Sequence, residues 1–188
     1  MLKENSKKIL FGLVGAGGFA KEVMSFAQDY VSTEFRHDPD IKVEIVFSDE
    51  NPTGNTINNY KLLCLSEFIK KKGCEKLFSV TVSSSSDREK LSDALIKKKC
   101  RPLSIFAPSS IIYDNNKIGE GAIICDNVIV TSNTIIGRFF HANIYSYIAH
   151  DCEIGDYVTF APRVNCNGNV KIENHCYIGT GAIIKQGK

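Results

Sequence analysis

From Phe106 onward the chain places an apolar residue at every sixth position: Phe106, Ile112, Ile118, Ile124, Val130, Ile136, Ala142, Ile148, Ile154, Phe160, Cys166, Ile172, Ile178 and Ile184. Four residues after each apolar position comes a mostly small or β-branched one, from Ser110 and Asn116 through Ala122, Val128 and Thr134 to Cys176 and Ala182. Gly119, Gly137, Gly155 and Gly179 recur just after the apolar position. Six residues are not a whole number of helical turns, so the period excludes a helix. It predicts one short flat strand and a bend per unit. Three units close a triangular coil of about eighteen residues, and stacked coils make a parallel β-helix. The apolar residue points into the prism. The small residue four later also points inward, where a large one is not expected to fit. The glycines are expected to relieve tight corners. A β-sandwich would show irregular turn spacing instead.

The first half alternates between the two periods. Apolar strands are predicted at Ile9–Val14, Val43–Phe47 and Leu77–Val82. Helical spacing runs from Phe19 to Tyr30, a short helix capped by Ser66 reaches Lys72, and Ser86-Asp87 opens a helix through Lys98. Pro102 to Phe106 leads into the repeat. This pattern predicts a small parallel α/β domain of Rossmann type over 1–104, followed by an all-β parallel β-helix over 105–188.

A chain of 188 residues allows one or two domains, and its net charge of +2 gives no electrostatic support to a nucleic-acid partner. Seven cysteines form no CxxC pair, and the four within the repeat (Cys125, Cys152, Cys166 and Cys176) read as small core residues of a reduced, cytosolic protein. The Lys-rich start runs into a short apolar stretch that reads as a first strand, neither a signal peptide nor a membrane span.

Gly15-Ala16-Gly17-Gly18-Phe19-Ala20 matches a G-x-G-x-x-G/A turn between strand and helix, where backbone N–H groups can approach a phosphate. Asp49 and Glu50 follow the second strand, where an acid can hold a ribose. Three or four strands make half of a dinucleotide fold, which favours one nucleotide diphosphate over a dinucleotide. A tight turn without a ligand stays open as well. Among four histidines, His37 lies in a charged loop, and His141 and His175 read as corner residues with local hydrogen bonds. His150 is followed by Asp151, and eighteen residues on the same step is Gly168. Stacking therefore predicts a glycine against the imidazole and room for a ligand, which suits a general base. Cys152 falls on an inward step, so it is a poor nucleophile candidate. The histidines lack the close pairing that a zinc site of the γ-type carbonic anhydrases requires, and no metal is expected.

Tyr145-Ser-Tyr-Ile-Ala-His150-Asp-Cys-Glu-Ile-Gly-Asp156, Cys166-Asn-Gly-Asn-Val170 and Tyr177-Ile-Gly-Thr-Gly-Ala-Ile-Ile-Lys-Gln-Gly187, together with the glycine turn, resemble the hexapeptide-repeat acetyltransferases of nucleotide-linked amino sugars. The resemblance spans nearly the whole chain. It includes the N-acetyltransferases of 4-amino-4,6-dideoxyhexoses and, more distantly, the sialic acid O-acetyltransferases. It implies a left-handed β-helix, an exception to the usual right-handed crossover. It implies acetyl-CoA as co-substrate, a homotrimer, His150 as catalytic base, and Asp151 and Asn143 as its partners in catalysis. The nucleotide sugar would be held by Gly15, Gly17, Gly18, Phe19, Asp49, Glu50 and Ser83, and acetyl-CoA by Thr159, Gly168, Thr180 and Lys185. No membrane or nucleic acid is implied.

The chain departs from that pattern in three places. Thr159 stands where some relatives carry a second histidine. Ser83-Ser84-Ser85-Ser86 follows the third strand where glycine is usual. The repeat reaches Lys188 in mid-coil without a capping segment, so a shortened, non-catalytic trimer that binds nucleotide sugar is a competing expectation. N- versus O-acetylation and the choice among UDP, GDP and dTDP stay open at this level.

Overall fold

The computed structural model describes residues 7–188, and residues 1–6 lie outside the described residues. The chain divides into two compact units, Met1–Val82 with Lys90–Leu103, and Ser83–Glu89 with Ser104–Lys188. The segment Ser83–Glu89, expected with the N-terminal half, thus clusters with the repeat.

The first unit is a six-stranded sheet. Its strands are β1 (Lys7–Val14), β2 (Ile41–Asp49), β3 (Thr56–Ile57), β4 (Tyr60–Cys64), β5 (Glu75–Val80) and β6 (Arg101–Pro102). The spatial order is β3-β4-β2-β1-β5-β6, parallel throughout except for the β3–β4 hairpin. Helix α1 (Gly18–Phe35) returns the chain from β1 to β2, and α2 (Leu65–Lys70) carries it from β4 to β5 on the other side of β1. Phe11, Leu13, Val23, Phe47, Phe68 and Phe78 are fully buried and form its core. Phe68 reaches so close to Gly12 that a Cβ there would lie 2.7 Å from its ring.

Three local readings need correction. The β3–β4 hairpin carries no strong alternation, and it turns on Asn58 and Asn59 at φ 47° and 67°, a conformation asparagine tolerates. Helix α2 is capped by Cys64 rather than Ser66, with Glu67 reaching back 3.1 Å to the Cys64 N–H. Helix α3 (Ser85–Lys97) begins a residue earlier than expected, with Ser84 Oγ accepting the Asp87 N–H at 3.4 Å.

The second unit is a parallel β-helix of two-residue strands in three sheets. The first face stacks Ile105, Ile123, His141, Thr159 and Tyr177, and each is paired with the residue eighteen positions away. The second face stacks Ile111, Ile129, Tyr147, Asn165 and Ile183, and the third Lys117, Ile135, Glu153 and Lys171. The apolar residues from Ile124 to Ile172 are buried inside. Phe140 occupies an inward step expected to be small. It fits because Ala142 follows nearby and because it meets Phe160 edge-on, with centroids 5.2 Å apart.

From the corner after Ile112 onward, each corner turns through one residue at positive φ, three after the apolar position. Asn127, Asn133, Phe139, Tyr145, Asp151, Tyr157, Arg163, Asn169 and His175 all lie between 54° and 62°, and Gly121, Gly181 and Gly187 share the step. This conformation sends the N–H back to the previous coil, as from Asp151 to the Ser132 carbonyl at 3.2 Å and from Asn169 to that of His150 at 2.9 Å. The recurrent glycines at 119, 137 and 155 therefore do not relieve the corner. They let the next coil approach: a Cβ on Gly137 would lie 2.6 Å from the Asp156 nitrogen.

Arg88 joins Ser83–Glu89 to the first face of the prism and is fully buried. It donates to His141 Nδ1 at 3.1 Å, to the Tyr157 carbonyl at 2.5 Å and to Thr159 Oγ1 at 2.9 Å. His141 is thus a strand residue held by an arginine, not the corner residue expected.

Gly137→Ala is expected to cost about 1–3 kcal/mol, because backbone of the next coil, and not only the Asp156 carboxylate, blocks the methyl. The melting temperature should fall by about 3–10 °C. Gly179→Ala meets nothing within 4 Å and should leave it unchanged.

Candidate active site

The corner after the second face carries Ala149, His150 and Asp151. Positive φ at Asp151, 58°, folds its carboxylate back beside the preceding ring. His150 Nδ1 lies 2.7 Å from Asp151 Oδ2. A carboxylate only accepts, so a proton sits on Nδ1, and in the neutral ring the lone pair is on Nε2. Both side chains are more than half exposed, at 56% and 54%. The Asp151 carboxyl is held below the usual carboxylate range, first by the hydrogen bond with His150 and further by the amide of Asn133.

Gly168 lies in the next coil directly beside the ring. A Cβ there would stand 2.7 Å from His150 Cε1 and 2.8 Å from Nε2. Its φ is not in the left-handed region, so the ring rather than the backbone explains the glycine. The structure therefore brings His150, Asp151 and Gly168 together, with Lys185 leaving the same corner one coil later. Asn143 sits at the preceding corner, its Oδ1 bonded to the Ile144 N–H at 2.8 Å, and strand Tyr147–Ile148 separates it from His150. Thr180 leaves that same preceding corner, two coils beyond Ile144.

Ser83 and Thr159 meet elsewhere. They line an open groove of about 580 Å³ on the first face with Ser84, Ser85, His175, Cys176 and Tyr177. His175 stacks on Tyr157 with centroids 5.2 Å apart and lies 3.6 Å from the Glu89 carboxylate. Thr159 is thus grouped with Ser83 and Arg88, not with His150 and Gly168. Cys152 is fully buried, its Sγ 3.2 Å from the Asn167 carbonyl and 3.9 Å from Cys166 Sγ.

In the first unit the carboxyl ends of β1 and β2 converge on the glycine turn. Gly15 has φ 105°, and a Cβ there would lie 2.9 Å from Thr81 Oγ1, so the chain itself requires it. Gly17 and Gly18 differ: a Cβ on either meets nothing within 4 Å. Their backbone is open to a ligand, with half-buried Phe19 next in the turn. Asp49 accepts the Ala16 N–H at 3.0 Å through Oδ2 and the Asn51 N–H at 3.0 Å through Oδ1. It shapes the turn first, and its remaining lone pairs face outward with exposed Glu50. Among the described residues no group of three His, Cys, Asp or Glu side chains could hold a metal ion. No helix among them is long and apolar enough to cross a membrane.

Sequence reasoning missed Asn133 and Arg88. Asn133 lies eighteen residues before Asp151, so the arithmetic that found Gly168 would have found it if run downward. Arg88 reads as one charge in a polar helix, and no local signal marks its burial.

Stacked hexapeptide coils joined in sequence to a parallel α/β sheet place the chain in the hexapeptide-repeat class. GDP-perosamine N-acetyltransferase of Escherichia coli O157:H7 is 43% identical to this chain over 178 residues, 95% of the chain and 79% of that protein. The structure of WeeI from Acinetobacter baumannii AYE superposes with a TM-score of 0.86 at 45% identity, over 96% of this chain and 82% of that one. A perosamine N-acetyltransferase variant from Caulobacter crescentus, solved with CoA and GDP-perosamine, shares the fold with a TM-score of 0.77 at 18% identity, over 96% and 80%. No protein-family model matches the chain. The chain belongs to the family of hexapeptide-repeat nucleotide-sugar N-acetyltransferases.

Gly168→Ala should fold, with its melting temperature within about 4 °C of the parent, because an exposed ring can move aside. Transfer activity should fall by about 10- to 100-fold as the imidazole is displaced. Because the folded Asp151 pKa is lowered, its contribution is present above the ordinary carboxylate value of about 4 and is lost only as pH falls through the lowered one. Carboxyl NMR titration should show a midpoint below that value, and His150→Ala should move it back up.

Proposed function

We propose that the chain transfers an acetyl group from acetyl-CoA to the 4-amine of GDP-perosamine, in the cytoplasm. The observation that carries this reading is the His150–Asp151 pair with its ring edge over Gly168, in a chain 43% identical to a GDP-perosamine N-acetyltransferase. His150 Nε2 accepts the proton that the amine sheds as its nitrogen bonds to the thioester carbonyl carbon. The carbon–sulfur bond breaks, and the same proton returns to the leaving thiolate. Asp151 holds the ring in the productive tautomer and balances its charge while protonated. The ladder at this corner uses the N–H groups of Asn169 and Gly187, which leaves that of Gly168 for the thioester oxygen. Lys185 and Thr180 offer polar groups to the rest of acetyl-CoA.

The first unit is read as a Rossmann-like domain, with Ser83–Glu89 given over to the second unit. Within it the Gly15–Phe19 turn offers open backbone suited to a phosphate, with Asp49 anchoring that turn. The amino sugar is assigned to the groove of Ser83 and Thr159, which moves Thr159 from cofactor to acceptor. That groove opens on the first face of the β-helix, whereas His150 stands between the second and third. One chain does not bring them together, so the base and Asn143 are supplied across a homotrimer of left-handed solenoids. Supporting this, the second face and its flanking corners expose apolar side chains, among them Ile111, Tyr113, Ile144, Tyr145 and Ile183, at 39–74%.

Thiol release from acetyl-CoA should occur with GDP-perosamine and be weak with UDP- and dTDP-linked 4-amino sugars. His150→Ala should keep its fold and lose about 10²- to 10⁴-fold in turnover. Full activity in that variant would sink the assignment of the base, and preference for an acceptor hydroxyl would redefine the reaction as O-acetylation.

A further inference from the structure

We propose that Arg88 is a positioning residue for acceptor binding, and that through it Thr159 is fixed as a hydrogen-bond donor facing the groove; this rests on the acceptor reading above. A guanidinium has donors and no acceptor. Each group it meets must therefore accept. The Ser83 carbonyl, 3.4 Å from Nη1, and the Tyr157 carbonyl, 2.5 Å from Nη2, do so by nature. His141 does so only as a neutral ring with its proton on Nε2. Thr159 does so only through an oxygen lone pair, at 2.9 Å. That bond settles the polarity of the hydroxyl, and the Thr159 proton is left to be donated elsewhere. Thr159 is half-buried and lines the groove, so the proton is offered to whatever lies there.

A serine hydroxyl on the groove wall can turn to donate or accept. Thr159 cannot accept from a ligand as well as it can donate to one. The partner of that proton is an acceptor, such as a sugar hydroxyl, ring oxygen or phosphate oxygen. An ammonium group is disfavoured there by the charge of the buried cation behind it. Arg88 also binds the Ser83 carbonyl, so the same side chain sets the distance between the serine wall and Thr159. Burial pushes the Arg88 pKa down to about 10, which still leaves it charged at neutral pH.

The test is a steady-state comparison of Thr159→Val, Thr159→Ser and Arg88→Lys with GDP-perosamine and acetyl-CoA varied in turn, alongside thermal melting. Valine keeps the shape and removes the hydroxyl. It should raise the Michaelis constant for the acceptor about tenfold or more while leaving that for acetyl-CoA within about twofold. Serine keeps the bond to Arg88 and should restore the parent value. Arg88→Lys keeps the charge but cannot bridge Ser83 and Thr159, and should raise the acceptor constant in the same direction. If the lysine variant does not fold, the valine and serine pair decides alone. An unchanged acceptor constant in Thr159→Val, or a shift confined to acetyl-CoA, overturns the inference while the parent enzyme still turns over. Absence of turnover by the parent with every amino-sugar nucleotide overturns the acceptor reading and the inference with it.

Discussion

Everything in the second unit depends on one hydrogen-bond ladder with an eighteen-residue step. Strand N–H groups donate to the carbonyl seventeen residues on, as from Ile123 to Phe140 and from His141 to Val158. Corner residues at positive φ donate the other way, to the coil before. Because each coil is tied in both directions, a residue cannot slip along its neighbour, and like steps stack. The stacking makes glycine compulsory at 137 and 155, where backbone meets backbone. It also sets Gly168 beside the His150 ring. A structural demand and a candidate catalytic feature thus arise from the same register.

The corner at His150 shows how the ladder serves chemistry. Left-handed φ is costly for most residues, and Asp and Asn tolerate it best. Asp151 and Asn133 occupy that step in successive coils, so the conformation that closes the corner also stacks an amide under a carboxylate and the carboxylate beside an imidazole. No separate loop is needed to orient the imidazole. Bulky residues at the same step, Phe139 and Tyr157, are accommodated differently: their rings stack nearly parallel, 5.5 Å apart, and recover in packing what the backbone conformation costs.

Arg88 poses the opposite problem, a charge taken out of water. Burying a cation is unfavourable unless its donors find partners. Four acceptors meet its two terminal nitrogens: two carbonyls, a hydroxyl and an imidazole nitrogen. Such an arrangement specifies the position of Ser83–Glu89 on the first face far more narrowly than apolar contact could, since each donor has a direction. The groove of Ser83, Thr159 and Tyr177 inherits that precision.

Periodicity made the β-helix legible, because a solenoid repeats in space what it repeats in sequence. The same arithmetic found Gly168 beside His150 and placed Cys152 in the interior. It failed where a residue acts outside its own period. Phe140 breaks the small-residue rule because Ala142 and Phe160 compensate it, and volume is shared among neighbours that no single step reveals. His141 looked like a corner residue, yet it lies on a strand and receives a bond from a residue 53 positions earlier. The glycines at the repeating step were legible as necessary, but whether conformation or close approach required them was not. The sequence by itself determined the elements and the stacking partners, since both follow from local period and chain geometry. Only the tertiary structure decided which polar groups meet across the chain. Arg88 with Thr159, and Asp49 with Ala16, are pairings set by the packing of distant elements rather than by any local pattern.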